Sequence, residues 1–399
     1  MPRPIKILHC LGTLDPGGVE TWLLHVLKAI DTNRFQFDFC TLGPHAGLFA
    51  ADVEKFGAKV LRCPLSQNLW KFSRCFRGIL GQGQYDVVHS HVHLLSGMLL
   101  RWASLEGVQV RVAHSHNSHD GKSKTLNRRA YRSLMKRLIR KHATHGLAAS
   151  RLAADDVFLD WRNNPRIAIL HYGIDLQRFQ SFIDSDAWRK KIGLLPNVRV
   201  IGHVGNFVPA KNHSFLLDLA FQTKKHLPDI QFLLIGDGSL RASVEARALT
   251  MGLQKTIHFL GTRTDVPELL RTCVDAFVFP SLWEGLPIAV LEAQAAGLPC
   301  VISKDITREV AVLPDQVDQL PLALGAEEWA TRMINAINHG KFGAKSSINA
   351  MQQTDFCIGH SCSVLTEFYE EASKTMRNSK EVNTGTQSSR PLPNYRNIN

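Results

Sequence analysis

No apolar run in this sequence reaches the ~18 residues that a membrane-spanning helix needs, because charged and turn residues interrupt every hydrophobic stretch first. Nor does a long apolar region with a small-residue cleavage site follow Met1-Pro2-Arg3-Pro4, which runs straight into Ile5-Lys6-Ile7-Leu8-His9-Cys10. The two absences predict a cytoplasmic protein. Cysteine is sparse, and Cys10, Cys40, Cys63, Cys75, Cys273, Cys300, Cys357 and Cys362 show no C-x-x-C spacing. That pattern argues against a disulfide frame or zinc ribbon and suits small core residues. No repeat of roughly 20 to 50 residues is present, which argues against a solenoid. Acid is missing from one long segment: residues 121–142 hold nine Lys and Arg, from Lys122 to Lys141, and no Asp or Glu.

The positive charge belongs to the first half. Residues 1–177 carry 24 Lys+Arg against 13 Asp+Glu, a net of +11, and the remaining 23 against 22 give +1, which together make the +12 of the whole chain. With 399 residues, the chain is long enough for two domains and a substantial core. Short apolar runs alternate with amphipathic stretches from end to end, the pattern of βα units stacked around parallel sheets. Strands are predicted near 5–10, 35–42, 58–62, 86–90, 109–114, 145–149 and 167–171, then near 199–204, 230–235, 257–260, 275–279 and 299–302. The pattern breaks around Tyr172-Gly173-Ile174-Asp175-Leu176-Gln177-Arg178-Phe179, which reads as an interdomain linker. The expected architecture is α/β, with two Rossmann-like βαβ domains, 1–178 and 179–358, facing a central cleft. A helix over 359–372, with Val364, Leu365, Phe368 and Tyr369 on one side, and a polar, disordered tail over 373–399 complete the prediction.

Chemistry concentrates in Pro280-Ser281-Leu282-Trp283-Glu284-Gly285-Leu286-Pro287, which leads into the helical Ile288 to Pro299. Asp275 to Phe279 reads as a buried parallel strand, Gly285 and Pro287 as the turn, and Ile288, Leu291 and Ala295 as the inward stripe of a helix. Glu284 thus lies before the helix and Glu292 inside it, both near a strand's carboxyl end. Ligands bind there in open α/β sheets: free helix N–H groups suit a phosphate, and a carboxylate accepts hydrogen bonds from sugar hydroxyls. A nucleotide-sugar needs both.

This segment, with its Pro-Ser start and Glu-Ala-x-Ala-x-Gly-x-Pro end, resembles the E-x7-E signature of the family-four retaining glycosyltransferases of GT-B fold, of the bacterial polysaccharide-biosynthesis type. The resemblance runs from the first strand to about Ala372. It implies an acceptor domain over 1–178, a nucleotide-sugar-binding domain over 179–358, and a terminal helix that packs back on the first domain. It assigns Glu292 to the ribose hydroxyls of the donor, and Glu284 with the Gly285 and Leu286 amides to the donor sugar and phosphate. Lys211, in Ile201-Gly202-His203-Val204-Gly205-Asn206-Phe207-Val208-Pro209-Ala210-Lys211-Asn212, is assigned to the diphosphate. The family usually has Arg where Asn206 stands; Asn donates a hydrogen bond and carries no charge. Gly17 and Gly18, between the first strand and a helix, read either as a plain turn or as a close approach to the donor diphosphate or acceptor. His114 matches the family's first-domain histidine near the transferred sugar.

His89, His91 and His93 alternate at one strand end, with His114, His116 and His119 at the next. Two readings stand, a metal cluster or structural and acceptor-contact imidazoles; the second is adopted because no acid is interleaved before Asp120. Asp184-Ser185-Asp186 lies before a helix and reads as its cap, not as a metal-binding D-x-D. In residues 121–142, Leu126, Ala130, Tyr131, Leu134, Leu138 and Ile139 form the expected core-facing stripe, and the basic face suits an anionic membrane surface. No motif supports nucleic-acid binding. The function implied is a metal-independent, retaining hexosyl transfer from a nucleotide-sugar, of UDP type, to a polysaccharide or lipid-linked acceptor, with no cofactor. Competing readings are a sugar-nucleotide epimerase or hydrolase of the same shape, and a catalytically impaired basic protein that binds membrane or nucleic acid.

Overall fold

The computed structural model describes residues 3–119, 125–181, 184–195 and 197–382. The chain divides into two compact units, Met1–His171 with Gly359–Asn399, and Tyr172–Ile358. In the first unit, seven strands form one parallel sheet: β1 (Ile5–Leu11), β2 (Phe35–Thr41), β3 (Val60–Arg62), β4 (Val87–Ser90), β5 (Val110–Ser115), β6 (His145–Ala148) and β7 (Ile167–Ile169), in the order β3-β2-β1-β4-β5-β6-β7. The second holds β8 (Val200–Val204), β9 (Gln231–Ile235), β10 (Ile257–Gly261), β11 (Ala276–Phe279), β12 (Cys300–Ser303) and β13 (Val317–Leu320), in the order β10-β9-β8-β11-β12-β13. Each order reverses once, between β1 and β4 and between β8 and β11, and that switch point is where an open α/β sheet binds its ligand.

Helices cover both faces, so the strands are near-continuous apolar runs. Leu8, Cys10, Cys40, Phe72, Phe76 and Leu99 belong to a core cluster of the first unit, and Ile201, Phe232, Leu234, Trp329 and Met333 to one of the second. All eight cysteines are free thiols, and six of them are buried. No helix among the described residues is long and apolar enough to cross a membrane.

Three boundaries differ from the sequence expectation. The units part between His171 and Tyr172, not at 178, because the expected linker is packed structure: Tyr172, Ile174, Leu176 and Phe179 are all buried. Ile174 N–H donates to Phe356 O at 2.9 Å, Ile358 N–H returns to Ile174 O at 3.0 Å, and Arg178 donates to Thr264 O at 2.8 Å. Four buried side chains of this kind contribute about 1.5–3 kcal/mol each, which holds the segment to the second unit. The terminal helix spans Ile358–Val382, ten residues beyond the expected limit at 372. Lys, Met, Arg and Glu favour helix across that stretch, and Lys374 stands 4.0 Å from Glu370 one turn back. The remainder of the predicted tail, 383–399, lies outside the described residues. Finally, β13 has no sequence prediction, since Val-Asp-Gln-Leu carries only two apolar side chains on a half-buried edge strand.

The basic helix spans Leu126–His142, capped by the Thr125 hydroxyl accepting from Arg128 N–H; residues 121–124 lie outside the description. Its buried side chains are Met135 and Ile139, while Leu126 and Leu134, expected in the core, are 80% and 53% exposed. The stripe is rotated because Met135, not Leu134, shares the 3.6-residue face of Ile139.

Candidate active site

In the second unit, the loop after β8 sets a lysine against a glutamate. A Cβ on Gly205 would stand 3.0 Å from Lys211 Cδ and Cε, so glycine there leaves room for the lysine to fold back. Gly236 (φ +142°) and Gly238 (φ +158°) bring the neighbouring loop so close that Cβ atoms would meet Gly205 O at 2.2 Å and Phe207 O at 2.7 Å. Lys211 Nζ consequently lies 4.7 Å from the centroid of the Phe279 ring and donates to Glu284 Oε1 at 2.6 Å. The two side chains are only 17% and 12% exposed, and removing one partner from such a pair costs about 3–5 kcal/mol.

Glu284 follows β11, and the helix Ile288–Ala295 follows Glu284 with Pro287 as an N-cap that offers no side-chain acceptor. The Gly285 and Leu286 N–H groups make no hydrogen bond among the described residues, so the positive end of the helix is open to an anion. Glu292 is 8% exposed, and its carboxylate makes no hydrogen bond among the described residues. Desolvation raises its pKa to about 7, against the pull of Arg178 and with the push of Glu268. Gln294 is fully buried and ties this helix to the next loop, donating to Val290 O and Val310 O and accepting from Leu313 N–H. Asn206 is exposed in the lysine loop.

In the first unit, Gly17 N-caps the helix Gly18–Ala29 without a side-chain cap. A Cβ on Gly17 would lie 2.4 Å from Glu20 Oε2, so glycine permits that carboxylate to fold over the helix start. Glu20 is half-buried, and desolvation raises it to about 7, its own backbone hydrogen bond lowering it and Asp15 raising it less.

Around the switch point of the first sheet, five imidazoles share a layer. His89 Nδ1 meets the Tyr369 hydroxyl at 2.6 Å and His89 Nε2 meets His114 Nδ1 at 3.1 Å. A second string joins His9 Nδ1 to His91 Nε2 at 3.0 Å and His91 Nδ1 to His116 Nε2 at 2.8 Å. His89 and His91 stack at 4.2 Å, and Trp22 presents its edge to His114 at 5.6 Å. Burial holds all five below the usual histidine pKa: His9 and His116 to about 3, the others well down. Of the three alternating histidines, His89 and His91 stay together and the third does not. His93 (φ +50°) leaves the strand and pairs with Asp156 at 2.7 Å, and His9, from β1, takes its place. Candidate ligand nitrogens of His9, His89 and His91, and of His91, His114 and His116, lie within 4.8 Å of one another, but as stacked, pairwise hydrogen-bonded rings.

Two units of the same topology, each with polar side chains at its switch point, invite comparison with known enzymes. A model described as "Glycosyl transferases group 1" matches residues 184–352, and one described as "Glycosyl transferase 4-like domain" matches residues 17–173. A Bacillus subtilis (strain 168) protein named glycosyltransferase EpsF is 34% identical over 343 residues, covering 84% of this chain and 88% of its own. The chain belongs to the group 1 glycosyltransferases.

An Escherichia coli relative of this glycosyltransferase, UDP-Gal:alpha-D-GlcNAc-diphosphoundecaprenol alpha-1,3-galactosyltransferase, is 32% identical over 319 residues, 75% of this chain and 79% of that one. Among solved structures, Anabaena HepE in complex with UDP and glucose aligns with a TM-score of 0.77 at 18% identity, over 92% of this chain and 99% of that one. The glycosyltransferase has the GT-B fold of two parallel-sheet α/β domains. Lys211 pairs with Glu284 in the second unit, Gly285 and Leu286 lead from Glu284 into the helix that carries Glu292, and Gly17, Gly18 and His114 belong to the first unit. Gly236, Gly238, Glu20 and Tyr369 escape sequence pattern. The Gly-Asp-Gly after β9 is a local signal for the first two, and Tyr369 has none.

Proposed function

We propose that this glycosyltransferase moves a hexose, with retention, from a UDP-sugar to a lipid-linked or polysaccharide acceptor. The observation that carries the proposal is Glu292, a buried carboxyl without a hydrogen-bond partner among the described residues, inside the helix whose N-terminus is open. Ribose hydroxyls supply the donors that Glu292 lacks, and the Gly285 and Leu286 amides receive the phosphate. Lys211 stabilises the departing diphosphate, with Glu284 holding it in place and accepting from the donor sugar. Asn206 contributes a neutral hydrogen bond where relatives have a second cation. Gly17 and Gly18 let the first loop approach the diphosphate or acceptor. The HepE structure holds UDP, and the E. coli relative is named for transfer to a diphosphoundecaprenol-linked sugar, which favours this donor and acceptor class.

His114 serves the transferred sugar as a neutral donor. The Tyr369 hydroxyl, kept protonated by burial, donates to His89 Nδ1; His89 Nε2–H then donates to His114 Nδ1, and the His114 proton resides on Nε2. Attack proceeds on the face from which the diphosphate leaves, and the diphosphate takes the acceptor proton.

The outer face of the basic helix seats the enzyme on an anionic, cytoplasmic membrane surface. Arg129, Arg137, Arg140 and Lys141 are exposed there, beside the exposed Leu126 and Leu134. Isothermal titration of purified protein with UDP tests the donor assignment: binding to wild type that is lost in Glu292→Ala supports it, and equal affinity in both removes it. Charge reversal at Arg137 and Lys141 tests the surface. Release from anionic vesicles with UDP binding intact is expected, and unchanged sedimentation would leave the helix merely solvated.

A further inference from the structure

At the opposite end of the first sheet from His114, a cavity of about 110 Å³ opens where β6 and β7 begin. His145 and Gly146 start β6, Ile167 starts β7, and the last turns of the basic helix and of the helix Arg151–Val157 close the sides. Its inner wall is apolar: Ile139, Val157 and Phe158 are buried, and Leu159 stands 66% exposed at the lining. Three cations, Lys136, Arg140 and Arg166, line the remainder, and no acidic side chain does. The nearest acids of the adjoining helix are engaged elsewhere. Asp155 pairs with Arg162 at 2.7 Å and Asp156 with Arg132 at 2.6 Å.

The Arg140 and Arg166 side chains make no hydrogen bond or ion pair among the described residues. The field of Arg166 and Arg111, added to burial as the main cause, lowers the neighbouring His145 to a pKa of about 4. Asn164 Oδ1 accepts from Arg166 N–H at 3.1 Å, which directs the amide nitrogen of Asn164 to serve as a neutral donor. The charge of Arg140 and Arg166, without a counter-charge in contact among the described residues and above an apolar wall, suits a phosphate that carries a hydrocarbon chain. At 110 Å³ the space exceeds the ~30 Å³ share of one water several-fold, yet falls below the ~300 Å³ of a whole-ligand pocket. It fits a headgroup and the first carbons of its chain.

Lys136 and Arg140 stand one turn apart, on the border between this cavity and the basic outer face. We infer that the cavity binds the phosphate headgroup of an anionic phospholipid, giving the enzyme a specific lipid contact at the end of the first sheet opposite His114. The inference deepens the membrane reading of the basic helix and rests on it for the source of the lipid.

The test separates the two. Purified full-length protein is titrated calorimetrically with dihexanoyl phosphatidylglycerol below its micelle concentration, with dihexanoyl phosphatidylcholine, and with inorganic phosphate. Wild type should bind the glycerol lipid at least about tenfold more tightly than either other probe. Arg140→Gln/Arg166→Gln should lose that difference at unchanged UDP affinity, and a matched melting temperature shows that the variant folds. Equal binding of the two lipids would overturn the selection of an anionic headgroup, and equal binding of inorganic phosphate would overturn the lipid. If wild type binds none of the three probes but still sediments with anionic vesicles, the cavity assignment fails while the membrane reading survives. Binding of the soluble glycerol lipid without vesicle sedimentation gives the reverse.

Discussion

In the first unit, β1, β4 and β5 carry His9, His89 and His114, and His91 and His116 follow β4 and β5; in the second, β8 and β11 lead to Lys211, Glu284 and Glu292. Both units use the same strand order up to the switch point, so the backbone offers the same place, and the side chains solve desolvation differently. Imidazole can be buried by giving up its proton, and its two ring nitrogens then make strings of hydrogen bonds. Lysine and glutamate meet burial as a pair. Among the described residues Glu292 has neither a cation in contact nor a donor, and desolvation raises its pKa. The contrast teaches that burial keeps the histidine layer of the first unit neutral, with His9 Nε2 and His114 Nε2 left without a partner among the described residues, whereas the second unit holds a charged pair and an unpartnered carboxyl.

The largest effect is expected where the charged unit loses its cation. Lys211→Met should lower kcat about 10²- to 10³-fold, because a preorganised charge on the departing diphosphate disappears. Initial rates with a UDP-sugar read this directly; a loss below tenfold would mean that Lys211 does not face the diphosphate.

Acid should break the neutral unit next. The folded pKa of His9 and of His116 is about 3 against 6.5 for an exposed imidazole. Below pH 6.5 the unfolded chain takes up protons that the fold refuses, so stability falls as pH drops from 6.5 towards 3. At pH 5 this amounts to about 2 kcal/mol for each residue. In His9→Phe, which sets an apolar ring beside Phe37 and Phe39, the loss of unfolding free energy between pH 7 and 5 should shrink by about that amount. An equal loss in variant and wild type would contradict a neutral His9.

Glu292→Gln sharpens the other side. Donor hydroxyls bond to the ionised carboxylate, so UDP affinity in wild type should rise as pH increases through about 7, and the glutamine variant should lose that dependence along with about 1–3 kcal/mol of binding. A pH-independent wild-type affinity would detach Glu292 from the ribose. Smallest is Asn206→Arg, which adds a second cation to the lysine loop and should change the rate by no more than a few-fold, in the direction of faster transfer. Inactivation of a folded variant would show that this loop does not approach the diphosphate.

Much of the frame was legible beforehand. Parallel strands stand out because strands buried on both faces need unbroken apolar runs, and twelve of the thirteen were located to within two residues at either end. Glu284, Gly285 and Glu292 were legible because a strand, a Gly-Pro turn and a helix follow one another within 25 residues, 275–299. Asp184 was read as a cap, and it accepts from the Asp186 and Ala187 N–H groups. Harder were features built from distant parts of the chain. Tyr369 lies 280 positions from His89, and nothing local in Glu-Phe-Tyr-Glu marks it as a partner. Gly205 looks like any loop glycine until the lysine lies across it.

By itself the amino-acid sequence determined the parallel α/β architecture, the two-unit division in outline and the placement of Glu284 before and Glu292 within the helix that follows β11, because these follow from short-range periodicity and turn chemistry. Tertiary structure alone decided which residues complete each other. It turned His93 away to Asp156 and brought His9 into the stack, paired Lys211 with Glu284 across 73 positions, and rotated the basic helix so that Met135 is buried while Leu134 faces out. The physical reason is the same in each case. Desolvation and packing act on atoms that meet in space, and one residue of helical phase or a single φ value decides which atoms those are.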